Sequence, residues 1–169
     1  MTTEATVYLV EDDEAVRDSL QMVLESVGHK VVSYSRADTF LEDYSIDMAG
    51  CMVLDIRMPG MNGMELQRQL NTRNSILPII FVTGHGDVPM AVDAMQRGAV
   101  DFVQKPYREE ELLGKIQQAI AADSENRADL EEKHKIRAKL SDLTPRESQV
   151  MELMIEGKAN KVIAYDLYI

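Results

Sequence analysis

Glu11, Asp12 and Asp13 follow one apolar run, and Asp55 lies near the end of another. Gathered carboxylates repel one another. A hard divalent cation with oxygen ligands relieves that repulsion, and a cluster that leaves positions open to water suits Mg²⁺. Thr83 closes a further apolar run, while Lys105 follows yet another and precedes Pro106. A hydroxyl and an ammonium beside metal-bound carboxylates are the groups phosphoryl transfer uses. The cation offsets the charge of Asp55 and of an incoming phosphoryl group, Lys105 supplies a point charge, and Thr83 donates a hydrogen bond. Taken singly, the acids could be solvated loop residues and Lys105 an ordinary loop lysine; their combination carries the inference.

The elements that must position these residues are legible in the hydrophobic pattern. Short β-branched runs at 6–10, 30–34, 51–56, 79–83 and 100–103 predict five buried strands. Apolar residues at three-to-four spacing between them predict helices, among them Leu20, Val23 and Leu24, then Leu66 and Leu70, then Leu112, Ile116 and Ile120. Strict alternation predicts an α/β fold: a doubly wound, five-stranded parallel sheet with helices on both faces. Active groups in such a fold collect at the carboxyl ends of the strands.

From Glu109 the helical pattern runs on toward Pro145, which predicts a last helix prolonged into a charged linker helix. Its first part should pack on the sheet. The rest, beginning with the acidic run Asp123, Glu125, Asp129, Glu131 and Glu132, should be a solvated face, with pairs from Asp129 to Lys133 and Glu131 to Lys135. Its apolar spacing makes a poor heptad. Leu143-Thr144-Pro145-Arg146-Glu147 combines a Thr cap with Pro in the first turn and predicts a new helix. The expected domains are therefore 1–122, a linker over 123–142, and a partial all-α segment over 143–169.

Composition narrows the classes. The net charge of −11 repels nucleic acid unless basic residues are segregated, and they are only partly so. The N-terminus lacks a signal-peptide pattern and no apolar run is long enough to span a bilayer, so a cytoplasmic protein with no membrane partner is expected. Cys51, the single cysteine, begins an apolar run and reads as a buried, inert thiol.

Over about residues 5–122 these motifs resemble the receiver domain of two-component response regulators, with a flavodoxin-like (CheY-like) fold. The stretch Thr83-Gly84-His85-Gly86-Asp87-Val88-Pro89-Met90-Ala91-Val92 resembles the FixJ-like branch. The resemblance implies a phospho-acceptor at Asp55, catalytic roles for Thr83 and Lys105, and Mg²⁺ held by Asp12, Asp55, the Arg57 carbonyl and, through water, Glu11. Asp13 is then a neighbour and not a ligand. It further implies a sensor histidine kinase as donor, slow self-hydrolysis of the acyl phosphate, and a switch formed by Thr83 and Phe102. Arg57 and His85 stand where the family tunes hydrolytic water, although His85 reads equally well as an ordinary loop histidine. The implied output is a homodimer through residues 90–96, 101–104 and 108–115.

Residues 143–169 resemble the opening of a LuxR-type helix-turn-helix domain, up to the point where a recognition helix would follow. DNA is therefore the expected target of a longer parent protein, whereas this stretch alone lacks the helix that contacts bases. Other classes fit less well. A haloacid-dehalogenase-like phosphatase needs an acid two residues after its nucleophile, where this chain has Arg57, and no Gly-rich phosphate loop follows the first strand. The nearer alternative is a receiver that acts by protein contact without DNA.

Overall fold

A computed structural model describes residues 4–84 and 87–140, together with Arg146 and Gln149. Strands β1 (Thr6–Val10), β2 (Lys30–Tyr34), β3 (Gly50–Asp55), β4 (Ile79–Thr83) and β5 (Asp101–Gln104) alternate with helices α1 (Glu14–Ser26), α2 (Ala37–Asp43), α3 (Gly63–Thr72), α4 (Val88–Gln96) and α5 (Glu109–Leu140). All strand pairs are parallel, in the order β2-β1-β3-β4-β5. Chain order reverses at β1, so the crevice at the carboxyl ends of β1 and β3 is the expected ligand position.

The expected doubly wound sheet is the one observed, and alternation along each strand divides its core in two. Tyr8, Val10, Met52, Leu54 and Phe81 pack with Phe40, Leu66 and Leu70 on the face covered by α2, α3 and α4. Val7, Leu9, Val53, Ile80 and Val82 pack with Leu20, Leu24, Leu112 and Ile116 on the face covered by α1 and α5. Each fully buried side chain of this size contributes about 1.5–3 kcal/mol over its exposed state. Cys51 lies in this second cluster, and burial pushes its thiol up to about 12, as expected of an inert group.

Strands β3 and β5 are each offset by one residue at both ends from the sequence expectation, β3 at Gly50–Asp55 against 51–56 and β5 at Asp101–Gln104 against 100–103. β5 starts at Asp101, and Val100 before it is exposed, although its N–H still donates to the Ile79 carbonyl. β3 starts at Gly50, whose φ of 124° and contact with the Thr6 backbone leave no room for a Cβ.

A first compact unit runs to Ser124 and a second begins at Glu125. Asp123 corrects the expectation of a solvated acidic run: it is 3% exposed, and its carboxylate accepts the Gly50 N–H at 2.8 Å. Beyond it, Glu131 pairs with Lys135 at 3.9 Å as expected, and Leu130 is exposed. The expected helix start at Thr144 and Pro145, the remaining residues of the LuxR-like motif other than Arg146 and Gln149, and His85 lie outside the described residues.

Candidate functional site

Parallel register sets the geometry of the site. Val10 pairs with Leu54, so the next residues, Glu11 and Asp55, emerge side by side; Thr83 pairs with Gln104, which brings Lys105 just past the same edge. Helix capping fixes the flanking loops. The Asp13 carboxylate accepts the Val16 N–H at 3.1 Å and so starts α1, and Asn62 does the same for Glu65 at 2.9 Å in α3. Asp13 is thereby engaged as a cap. Gly63 lets α3 begin directly against the end of β3, where a Cβ would collide with the Asp55 carbonyl oxygen.

Carboxylate oxygens of Glu11, Asp12 and Asp55 lie within 4.8 Å of one another. Glu11 and Asp55 are buried, while Asp12 is exposed at the mouth. The Lys105 ammonium stands 3.6 Å from Glu11 and 3.7 Å from Asp55. Burial, reinforced by the charge of Asp55, pushes the Glu11 carboxyl up to about 7 despite the opposing Lys105. Burial likewise raises Asp55, with Lys105 opposing. Burial works against the Lys105 ammonium, yet the charges of Asp55 and Glu11 keep its pKa above the ordinary lysine value.

With all three acids ionised and Lys105 protonated the cluster carries −2, an all-oxygen donor set suited to one hard divalent cation. Glu11, Asp12 and Asp55 are the side chains that fit it.

Thr83 is fully buried, and its hydroxyl donates to the Val103 carbonyl at 3.5 Å. Lys105 is fixed by its own N–H, which donates to the Thr83 carbonyl at 2.7 Å. Phe102, on β5, is half-buried and packs against the α2–α3–α4 side of the core. Arg57 directs its N–H toward Asp55 Oδ1 at 3.3 Å.

The side chain of Arg57 has a partner that sequence reasoning missed. Its Nε and terminal nitrogen lie 2.7 and 2.6 Å from one carboxylate oxygen of Asp87, which is 3% exposed. The guanidinium holds the Asp87 carboxyl below the usual carboxylate range. Tyr107 was also missed. It is half-buried, and burial raises its phenol above the ordinary value, with Lys105 opposing. Nothing in residue spacing marks a pairing between positions 57 and 87.

Two family models match the chain: the response regulator receiver domain over residues 7–117, and the bacterial regulatory proteins of the luxR family over residues 141–169. The chain is 44% identical to the transcriptional regulatory protein FixJ of Bradyrhizobium diazoefficiens, over 99% of this chain and 82% of that protein. It is 41% identical to the response regulator protein TodT of Pseudomonas putida, over 96% of this chain and 72% of that protein. Among solved structures, that of the response regulator StyR matches with a TM-score of 0.81 and 44% identity, covering 99% of this chain and 84% of that one.

Proposed function

Since this chain belongs to the response regulator receiver family and joins a receiver to a LuxR-family segment, it is a phosphorylation-switched transcriptional regulator, and we propose that Asp55 is its phospho-acceptor. Its role is regulatory and not that of a metabolic enzyme. The observation that carries the proposal is the shared Lys105 contact with Glu11 and Asp55, which keeps a nucleophilic carboxylate and a cation at one opening.

Receiver domains bind Mg²⁺ at an acidic pocket, and here Glu11, Asp12 and Asp55, with the Arg57 carbonyl, would hold it. When bound, the ion offsets the negative charge that otherwise repels a phosphoryl donor. An Asp55 carboxylate oxygen attacks the phosphorus of a phosphohistidine donor on a sensor kinase, the P–N bond breaks, and the imidazole, already protonated on its other ring nitrogen, takes the bonding electron pair and leaves neutral. Lys105 meets the oxygens of the transferred group. Water later attacks the acyl phosphate, returning Asp55 and inorganic phosphate. By the family resemblance, Arg57 and His85 would tune the access of that water.

A new phosphoryl group offers strong acceptors beside a buried hydroxyl. Thr83 would exchange the long 3.5 Å bond to Val103 for a phosphoryl oxygen, and Phe102 would follow into the space vacated. The α4–β5–α5 surface, with Val92 and Met95 exposed on α4 and Lys115 bound to Asp101 at 2.9 Å, is the proposed homodimer face. Dimerisation would then present LuxR-type segments of the full regulator to DNA. The proposed domains are the receiver over 1–122, a linker helix over 123–142 and the LuxR-type segment from 143.

Among the described residues no helix is long and apolar enough to cross a membrane, and a cytoplasmic location is part of this proposal. Molar mass by light scattering, with and without Mg²⁺ and beryllofluoride, tests the output: the expected result is a shift toward dimer on loading, and an unchanged mass would overturn it.

A further inference from the structure

Helix α4 is held differently at its two ends. At its carboxyl end, two uncharged amides of α3 bind its last carbonyls: Gln67 Nε2 donates to Ala94 at 2.9 Å, and Asn71 Nδ2 donates to Arg97 at 3.0 Å. At its amino end the hold is ionic. Asp87 occupies the cap position of α4 but makes no capping bond with its side chain, because one carboxylate oxygen receives both Arg57 nitrogens.

Arg57 lies two residues from Asp55, and its guanidinium is 74% exposed, while its Asp87 partner is buried. The exposed member can therefore leave, and the buried one is left with a carboxylate to satisfy. A phosphoryl group on Asp55 would bring nearly two negative charges and three acceptor oxygens into the reach of Arg57. Asp87, once released, sits at the start of α4, where the Met90 N–H, Pro89 having none, and the positive dipole end favour a carboxylate. Its favoured alternative is to cap α4.

We propose that the Arg57–Asp87 pair is a latch on the amino end of α4, opened when Arg57 turns to the phosphorylated Asp55, and that α4 then pivots about its Gln67- and Asn71-bound carboxyl end. The opening step rests on Asp55 as phospho-acceptor; the latch itself does not. Asp87 is thus a positioning residue that sets where Arg57 waits.

Residue-resolved amide exchange tests this at a concentration where molar mass reports monomer. Two amides serve as reporters: Ala91, which donates to the Asp87 carbonyl, and Arg97, which donates to Asp93 and Ala94. In wild type with Mg²⁺, beryllofluoride should speed exchange at Ala91 on the order of tenfold and leave Arg97 within about twofold. Asp87→Asn and Arg57→Gln should each show the fast Ala91 exchange without beryllofluoride, with little added by loading. Asp93→Asn, which breaks the exposed pair with Arg97 on the same helix, should leave Ala91 as in wild type. Unchanged exchange of the Leu54 and Val82 amides shows that each variant is folded. Wild-type protection of Ala91 in both unloaded variants would overturn the latch. If wild type fails to take up beryllofluoride, the phospho-acceptor reading fails instead, and the unloaded variants still decide whether the pair restrains α4.

Discussion

The Lys105 ammonium nitrogen stands 3.6 Å from Glu11 and 3.7 Å from Asp55, so that one cation holds two buried acids at a common opening. Lys105→Ala should leave them uncompensated. Because Lys105 is about one-third exposed, water softens the loss, and the expected cost is about 1–2 kcal/mol. Urea unfolding at pH 8 without Mg²⁺ checks it. Added Mg²⁺ should restore part of the difference.

Glu11 gives stability a defined pH dependence. Its carboxyl is held up at about 7 against an ordinary 4.5, so between those values the folded protein keeps a proton that the unfolded chain has released. The stabilisation is complete below about 4.5 and is lost as pH rises through about 7. Without Mg²⁺ the unfolding free energy from urea titration should fall over this range by on the order of 3 kcal/mol, and Glu11→Gln should flatten the profile. Mg²⁺ affinity should rise over the same interval, since binding must displace that proton.

Gly63 couples the start of α3 to the phospho-acceptor. Adding a Cβ would press on the Asp55 carbonyl oxygen and the Ile56 Cα. Gly63→Ala is expected to cost about 1–3 kcal/mol and to slow Asp55 modification by small acyl phosphates, measured by thermal unfolding and intact mass.

Asp123 binds the end of the first compact unit to the amino end of β3 through Gly50. Asp123→Ala leaves a buried N–H without its acceptor, at about 1–3 kcal/mol. Gly50 amide exchange should accelerate in step with the lost stability. An unchanged rate would mean that the bond contributes nothing.

The sheet was legible because the inner parallel strands β1, β3 and β4, buried on both faces, read as apolar, β-branched runs, and because strand runs and three-to-four helical patterns alternate along the chain. Register then brought Glu11, Asp55, Thr83 and Lys105 to one edge. Gly50 lay outside the expected strand over 51–56, whereas its close approach to the Thr6 backbone requires a glycine there. Asp87 and Asp123 were not legible as buried groups. Each is stabilised by a partner distant in sequence, Arg57 and Gly50, and one-dimensional spacing carries no sign of such pairs.

The most direct test of the account is stoichiometric modification of Asp55. The protein is incubated with Mg²⁺ and a small acyl phosphate, wild type beside Asp55→Asn, and intact mass is followed over time. The account predicts one added phosphoryl group in wild type, its dependence on Mg²⁺, its slow loss on removal of the donor, and none in the variant. Modification that persists in Asp55→Asn, or fails in wild type with Mg²⁺ present, would contradict it.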